Sequence, residues 1–275
     1  MPGIKEIKNR IKSVSDTQKI TNAMYLVASA RLSAARNTVF SQREYSDEAE
    51  SMLACALTHS GGESVFTHDN GRDCDAVLVL GGDRGLCGDY NKNVAKFALS
   101  ALGGFRNPKI FVSGGRVKSL LCAAGIAPDE SFEPVIRKPD NETAAMITDY
   151  FVNLFKEGAI SSFSVIYADF SDRSKLGVRR LLPVRKVDDG AATCEFLPGA
   201  GEVLDTLVPL CLKSEIRSCI LSSFCSEQNS RMTAMKNAND NAGDLLGELQ
   251  LEYNHTRQNA ITGEITEISG ERNLS

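Results

Sequence analysis

The hydrophobic positions near the N-terminus repeat with the spacing of a helix that packs against one other helix. Successive apolar residues stand three or four positions apart, as the a and d positions of a coiled coil do. The residues of this first stripe are Ile4, Ile7, Ile11 and Val14. The pattern therefore predicts a long helix that buries one narrow face.

The next two positions of this register carry the polar residues Gln18 and Thr21. Apolar residues stand instead at Ile20, Met24 and Val27, which are offset from the first stripe. A change of phase alters the winding of a helix pair. The pattern therefore predicts that the buried face of the helix shifts at this point.

A second long stripe lies near the C-terminus and keeps the same spacing over more than three heptads. Its members are Met232, Met235, Asn239, Ala242, Leu246, Leu249, Tyr253 and Thr256. Three isoleucines, Ile261, Ile265 and Ile268, continue it in a shifted phase. The coiled-coil seam predicted from both stripes consists of Ile4, Ile7, Ile11, Val14, Met232, Met235, Leu246 and Leu249.

The placement of glycine, proline and charge separates the two ends from the centre. Residues 4–60 contain neither glycine nor proline, and no proline follows Pro209, so both ends permit long helices. Residues 1–36 carry seven basic and two acidic side chains, whereas residues 231–275 carry four basic and seven acidic ones. Opposite charges favour pairing of the two ends, although burial of the seam must supply most of the stability.

Between the two ends, short apolar blocks alternate with amphipathic ones. Buried strands are predicted at residues 75–80, 109–113 and 164–170, helices at 91–101, 116–124 and 142–156, and a hairpin or edge strand at 177–187. This alternation is typical of an α/β fold with a mainly parallel sheet. The predicted domains are an N-terminal coiled-coil helix at 1–60, an α/β domain at 70–200 and a C-terminal coiled-coil helix at 205–275.

Composition and charge exclude several classes of protein. Hydrophobic residues make up 42% of the 275 residues, but charges interrupt every apolar run before the roughly 18 residues that a membrane-spanning helix requires. A net charge of −4 argues against a general nucleic-acid binder. We expect neither a secretory signal nor a transit peptide, and we expect the eight scattered cysteines to be reduced. These features predict a protein of the cytoplasmic side.

The strongest candidate for chemistry is the glycine-rich segment GGDRGLCG at residues 81–88, between a predicted strand and a predicted helix. Backbone N–H groups in such a turn can hold a phosphate, and a cysteine at a helix N-terminus, here Cys87, can act as a nucleophile. The glycine spacing matches neither the dinucleotide-binding fingerprint nor the P-loop, and no catalytic base is evident near Cys87. A structural turn, a nucleotide site and a nucleophile all stay open at this point.

Four side chains that could bind zinc lie close together in the sequence. They are Cys55, His59, His68 and Cys74. Their spacing fits no zinc finger, and residues 60–73 have the composition of a loop. The paired carboxylates Asp188 and Asp189 stand in a predicted turn, where solvation explains them. We therefore predict no catalytic residue, no metal and no cofactor.

The basic N-terminal face leaves binding of nucleic acid or anionic lipid as an alternative. It lacks interleaved aromatic residues, and its isoleucine stripe favours a protein partner instead.

Four segments together resemble the gamma subunits of F-type ATP synthases, the central rotor shafts of those enzymes. They are residues 4–32 (IKEIKNRIKSVSDTQKITNAMYLVASARL), 82–88 (GDRGLCG), 227–244 (EQNSRMTAMKNANDNAGD) and 251–270 (LEYNHTRQNAITGEITEISG). They follow the order of the family, so the resemblance covers the architecture of the whole chain. Between about 100 and 200 only the general α/β character matches.

The resemblance implies a fold and a set of partners. In that family the terminal helices form a long antiparallel coiled coil that enters the hexamer of alternating alpha and beta subunits. A Rossmann-like α/β domain lies near the membrane ring of c subunits and contacts the epsilon subunit. Flow of protons or sodium ions turns the ring, and the shaft couples this rotation to ATP synthesis or hydrolysis.

The same resemblance implies that this chain is itself non-catalytic, because the catalytic residues belong to its partners. It would be a peripheral component on the cytoplasmic face of the bacterial inner membrane, with membrane contact only through the complex. The family also has a chloroplast branch with a regulatory dithiol loop. Cys194 and Cys211 form no close pair of that kind, so we expect no such thiol switch.

Three partner-binding residues are implied by matching the family motifs to this sequence. Met24 would face an acidic lever of a beta subunit, and Arg257 with Gln258 would hold a loop of beta in one rotary state. Residues 261–274 would form the tip of the shaft in an apolar bearing. Two other classes stay open: a small α/β enzyme that uses Cys87, and a generic coiled-coil adaptor.

Overall fold

The computed structural model describes residues 3–59, 64–68, 71–134, 136, 139–184 and 200–272. The elements in chain order are α1 (Ile4–His59), β1 (Asp75–Leu80), α2 (Tyr90–Leu102), β2 (Lys109–Ser113), α3 (Gly115–Ala123), α4 (Asn141–Lys156), β3 (Ser162–Asp169), β4 (Lys175–Leu182) and α5 (Ala200–Arg272). Two compact units are present. The terminal unit comprises Met1–Ser29 and Arg231–Ser275, and the central unit comprises Ala30–Ser230. Both α1 and α5 contribute residues to each unit.

The sheet of the central unit has the strand order β2-β1-β3-β4. Strand β1 pairs in parallel with β2 and β3, so that Val77 lies beside Ile110 on one side and Ser164 on the other. Strand β4 is an edge strand that runs antiparallel to β3. The predicted mainly parallel sheet is confirmed, and edge strand β4 lies where a hairpin or edge strand is predicted.

Helices cover both faces of this sheet, which is why all six residues of β1 are buried. Alternate residues of a strand point to opposite faces. Leu78 and Leu80 pack in one core with residues of α1, α4 and α5. Val77 and Val79 pack in a second core with α2 and α3. The continuous apolar run of β1 therefore serves two cores at once.

Aromatic side chains fill the first of these cores. Phe151 of α4 stacks on Phe163 of β3 with ring centroids 3.9 Å apart. Phe66, in the segment 64–68, is fully buried and stacks on Phe155, and its carbonyl accepts a hydrogen bond of 2.8 Å from the N–H of Val184. The described middle of the loop predicted at 60–73 is thus anchored in the core by one phenylalanine.

Within the central unit, α1 and α5 run antiparallel. The Ser46 and Ser214 hydroxyls lie 2.7 Å apart, and two turns earlier on α1 Val39 packs in a cluster with Leu221 and Cys225. Moving back along α1 therefore means moving forward along α5. The implied antiparallel pairing of the two ends is confirmed.

The same direction of pairing is present in the terminal unit. A Cβ placed on Gly243 of α5 would lie 3.3 Å from Nε2 of Gln18 on α1, so these two residues face each other closely. Ile4, the first residue of α1, lies fourteen positions before Gln18, and the residue fourteen positions after Gly243 is Arg257. Helix α5 continues to Arg272, about 22 Å beyond that level at 1.5 Å per residue.

All eight residues of the predicted seam lie in the terminal unit, and none of them is exposed. Ile7, Met235 and Leu249 are buried, with exposed fractions of 2%, 5% and 3%. The half-buried members are Ile4, Ile11, Val14, Met232 and Leu246.

The predicted shift of the buried face after Val14 is wrong. Ile20 and Val27 are exposed, whereas Gln18 and Thr21 are half-buried. The original register continues, because Gly243 leaves room for the Gln18 side chain and because the Thr21 hydroxyl donates a hydrogen bond of 2.9 Å to the Gln18 carbonyl. Polar side chains therefore occupy seam positions here. Of the offset apolar residues, Ile20 and Val27 face outward and Met24 is half-buried.

The predicted continuation of the C-terminal stripe is also wrong for the two isoleucines whose exposure is described. Ile261 and Ile265 are exposed by 47% and 59%, so they do not pack in the seam. Both lie beyond the level of Ile4, where α1 begins. The side chain of Ile268 is outside the described residues.

The contrast between Ile7 and Ile20 on the same helix gives a matched test of the seam. Ile7→Ala should lower the free energy of unfolding by about 2 kcal/mol or more, because it removes a buried side chain and leaves a cavity. Ile20→Ala should change it by less than about 0.5 kcal/mol. Urea unfolding followed by circular dichroism measures both. Equal effects of the two substitutions would contradict the register described above.

Candidate functional site

The glycine-rich turn at residues 81–88 is closed by one side chain, that of Asn91 in the first turn of α2. Asn91 Oδ1 accepts a hydrogen bond of 3.0 Å from the N–H of Gly82, and Nδ2 donates one of 3.0 Å to the Arg84 carbonyl. The N–H of Gly81 donates to the Ser113 carbonyl at 2.8 Å. Because these backbone groups are already paired within the protein, the geometry favours a structural turn over a phosphate cradle.

Close packing explains why glycines stand in this turn. A Cβ on Gly81 would lie 2.3 Å from Cγ2 of Val117, and one on Gly82 would lie 2.8 Å from Asn91 Oδ1 and 3.0 Å from the Glu227 carboxyl carbon. Gly114, which follows β2, has a φ of +106° and approaches the Gly81 carbonyl. The turn is thus wedged between α3 and α5, and its glycines allow that approach.

Cys87 is buried at the end of this turn, with an exposed fraction of 1%. Its Sγ lies 3.2 Å from Asn91 Nδ2 and 3.8 Å from the Arg84 carbonyl. A reactive thiol needs access to its substrate. The position of Cys87 therefore favours a packing role rather than a nucleophile.

No group of three or more side chains suited to metal binding occurs among the described residues. Cys55 is buried in α1, whereas His68 is exposed, with Nδ1 3.2 Å from the Ser64 carbonyl. The side chain of His59 lies outside the described residues, as do Asp188, Asp189 and Cys194. In the described part of the chain, no helix is long and apolar enough to cross a bilayer.

The terminal unit exposes large apolar side chains on both of its helices. On α1, the exposed fractions are 61% for Ile20, 57% for Leu26 and 53% for Val27. On α5, Leu251 is 72% exposed. Exposed apolar side chains of this size are suited to contact with another protein. We call Ile20, Leu26, Val27, Leu251, Ile261 and Ile265 the apolar surface of the terminal unit.

Met24 lies on the same helix as the first part of this surface. It stands four residues after Ile20 and three before Val27, so the three share one side of α1, and Met24 itself is half-buried. Arg257 and Gln258 are exposed on α5, and the Gln258 carbonyl accepts a hydrogen bond of 2.9 Å from the Thr262 hydroxyl. All three sequence-predicted contact residues therefore lie in the terminal unit, and the two on α5 are accessible.

The sequence pattern missed Leu26 and Leu251 as surface residues. Leu26 precedes Val27 and falls in neither stripe, and Leu251 falls between the stripe positions Leu249 and Tyr253. A leucine outside the a and d positions was the available signal, since such residues face away from a helix partner.

A family model and similar proteins both match this chain over nearly its whole length. A family model described as ATP synthase matches residues 3–272. The ATP synthase gamma chain of Clostridium beijerinckii is 35% identical over 273 residues, which cover 98% of this chain and 96% of the relative. That of Clostridium botulinum is 33% identical with the same coverage.

Solved structures share the fold. The Euglena gracilis mitochondrial ATP synthase, in a structure of OSCP, F1 and c-ring in rotational state 3, contains a chain that aligns with a TM-score of 0.72 at 15% identity. The alignment covers 98% of this chain and 94% of that one. The central stalk and c-ring structure of the Tetrahymena thermophila mitochondrial ATP synthase gives a TM-score of 0.60 at 19% identity, over 80% and 99% of the two chains.

The glycine-rich turn provides a test of its packing role. Gly81→Ala should lower the free energy of unfolding by about 1–3 kcal/mol, because the new Cβ overlaps the Val117 side chain. Gly85→Ala in the same turn is the control, since a Cβ there meets nothing within 4 Å. Thermal unfolding measures both variants, and an unchanged melting temperature for Gly81→Ala would contradict the packing role.

Proposed function

This chain belongs to the family of ATP synthase gamma chains, and we propose that it works as the rotating central stalk of such an enzyme. Rotation of a membrane c-ring, driven by ion flow, turns the stalk. The stalk in turn drives the catalytic hexamer of alpha and beta subunits through its states, so that ion flow is coupled to ATP synthesis or hydrolysis. The observation that carries this proposal is the apolar surface of the terminal unit.

The pairing of α1 with α5 stiffens both helices. A single helix bends and twists easily, whereas two helices that share a buried seam resist both deformations. The seam residues Ile7, Met235 and Leu249 are buried along the terminal unit. In the central unit, the Ser46 and Ser214 hydroxyls join the same two helices. A paired shaft of this kind is suited to carrying torque.

The apolar surface is the part of the shaft that would contact the beta subunits. An asymmetric helix pair inside a ring of three beta subunits meets each of them with a different side. Differential contact shifts each subunit between conformations with different affinities for nucleotide. Exposed residues such as Ile20, Val27 and Leu251 are then covered in the assembly, which explains why apolar side chains of that size face outward in the single chain.

Three residues are proposed to make specific contacts with beta subunits. Met24 would lie against an acidic lever of beta, since its flexible thioether adapts to a surface that changes during rotation. Arg257 would hold a loop of beta through its fixed fork of N–H donors, with Gln258 beside it. Both α5 residues are exposed, as such contacts require.

The far end of α5 is proposed to be the tip of the shaft. Ile261 and Ile265 are exposed beyond the level at which α1 begins, so an apolar sleeve formed by the hexamer could receive them. The proposed seam residues would then hold the two helices together below this tip.

The remaining partners follow from the stalk assignment. The central unit would contact the epsilon subunit and the c-ring, and the chain would reach the membrane only through this complex. It would be non-catalytic and would lie on the cytoplasmic face of the bacterial inner membrane. The paired backbone groups of the 81–88 turn and the burial of Cys87 are consistent with a chain that carries no chemistry of its own.

Reconstitution with alpha and beta subunits tests the stalk function. The isolated chain should hydrolyse no ATP, and its addition to alpha and beta should restore cooperative turnover. An Ile20→Asp, Val27→Asp double variant should unfold like the wild-type chain, because both side chains are exposed, yet lose most of that stimulation. A double variant that stimulates as well as wild type would contradict the role of the apolar surface, and an adaptor without rotary function would stimulate in neither form.

A substitution at Met24 tests its proposed contact. Met24→Lys should lower the number of ions pumped per ATP while leaving folding intact, because a cation beside an acidic lever adds an attraction of up to about 3 kcal/mol in one rotary state. Met52→Lys adds the same charge to an exposed position of α1 in the central unit and serves as the control. Proton or sodium pumping in vesicles gives the ratio. The same ratio in both variants would count against the placement of Met24.

A further inference from the structure

A groove in the central unit lies between the two long helices and the start of α4, and it encloses about 420 Å³. Pockets that bind small molecules commonly have volumes of about 300–1,000 Å³, so this groove is large enough for such a ligand. We call it the basic groove, and define it by Thr38, Tyr45, Asn141, Leu210, Lys213 and Arg217.

Two cations stand one helical turn apart in the basic groove. Lys213 and Arg217 are four positions apart on α5, so their side chains are neighbours on one side of the helix. Both residues are half-buried, and neither forms an ion pair with any residue that the structure describes. Like charges at this spacing repel each other. An anion bound between the two side chains would remove that repulsion.

A buried glutamine holds Arg217 in place without neutralising its charge. Gln42, which is 5% exposed, accepts a hydrogen bond of 2.6 Å from Arg217 Nη1 and donates one of 3.0 Å from Nε2 to the Ser214 hydroxyl. The Ser214 hydroxyl lies 2.7 Å from that of Ser46. This uncharged network therefore fixes the guanidinium before a ligand arrives, which lowers the entropy cost of binding.

Several hydrogen-bond donors of the basic groove are not used within the chain. Arg217 Nη2 is not fully buried and makes no hydrogen bond to the described residues, and Arg217 Nε is buried without an acceptor among them. The Lys213 ammonium and the hydroxyls of Thr38 and Tyr45 likewise have no hydrogen-bond partner in the described part of the chain. Lysine and arginine can only donate, so the ligand that suits them carries acceptor oxygens and negative charge.

Helix α4 begins at the basic groove with Asn141. The N-terminus of a helix favours an anion, because its first N–H groups have no partner within the helix. The Asp140 carboxylate accepts a hydrogen bond of 2.9 Å from one of these groups, the N–H of Thr143, and so offsets part of this effect. Lys213 and Arg217 must therefore supply most of the attraction for an anion.

The basic groove also presents an aromatic and an aliphatic side chain. Tyr45 is 51% exposed and Leu210 is 48% exposed. An inorganic anion that binds the two cations has no apolar part to cover these side chains. An organic group attached to the anion would bury part of both, which is favourable.

We propose that the basic groove binds the phosphate ester of a small organic molecule. The phosphate lies between Lys213 and Arg217, where the guanidinium fork matches its oxygens, and the organic part packs against Tyr45 and Leu210. This site goes beyond the stalk function and does not depend on it.

Calorimetric titration of the full chain with AMP at low ionic strength tests this proposal, since AMP combines a phosphate monoester with a flat organic group. Lys213→Met should weaken AMP binding about tenfold or more, because a charge-assisted hydrogen bond is lost. Lys236→Met removes the same charge from an exposed position of α5, and this control should bind AMP as the wild type does.

Inorganic phosphate distinguishes a site for an ester from a site for the anion alone. The wild type should bind AMP more tightly than inorganic phosphate. Tyr45→Ala should remove most of this difference and leave phosphate binding unchanged, because it deletes only a contact to the organic part. Equal wild-type affinities for AMP and phosphate would overturn the proposal.

Three other outcomes would contradict the site. Absence of saturable AMP binding to the wild type would overturn it, as would equal weakening by Lys213→Met and Lys236→Met. Vesicles of phosphatidic acid distinguish a lipid headgroup from a free ester. Loss of vesicle binding in Lys213→Met, with AMP bound by neither chain, would assign the basic groove to lipid and overturn the proposal.

Discussion

Pairing of α1 with α5 is the interaction on which the rest of this protein depends. Each helix draws most of its stability from packing of its apolar face rather than from helix propensity, and α5 carries Gly243, Gly247 and Gly263, each of which costs about 1 kcal/mol of helix propensity. Burial of Ile7, Met235 and their neighbours offsets these costs only when the two helices lie together. The ends of the chain must therefore meet for either helix to be complete.

The sheet is joined to this helix pair by close approach and by charge. Glycines at 81, 82 and 114 let the turn after β1 lie against α3 and the Glu227 carboxyl. At the β4 edge of the sheet, Arg179 connects β4 to both helices. The connection at the turn after β1 is tightly packed, because its glycines leave no room for a Cβ. The other contains the buried acid Glu215, which pairs with Arg179.

Some residues of the helix pair depart from the usual pattern, with polar side chains inside the seam and large apolar side chains outside it. Inside the seam, Gln18 and Thr21 are accepted because a glycine faces one of them and a backbone carbonyl satisfies the other. Outside it, Ile20 and Leu251 remain in contact with water, which a single soluble chain does not require. A chain that keeps polar groups in its seam and apolar groups on its surface is built for assembly with partners.

Local pattern alone determined the three parallel strands, the helices between them and the two long terminal helices, because strand and helix periodicity depend on neighbours within a few residues. The register of Gln18 and Thr21 was decided only in the folded chain, since hydrophobicity cannot reveal that Gly243 stands opposite. The sequence pattern likewise did not reveal that Asn91 closes the glycine-rich turn or that Arg179 bridges β4 to the two long helices. The partners of Asn91 lie seven and nine positions away, and Glu50 lies 129 residues from Arg179, so neither pairing follows from periodicity within a few residues.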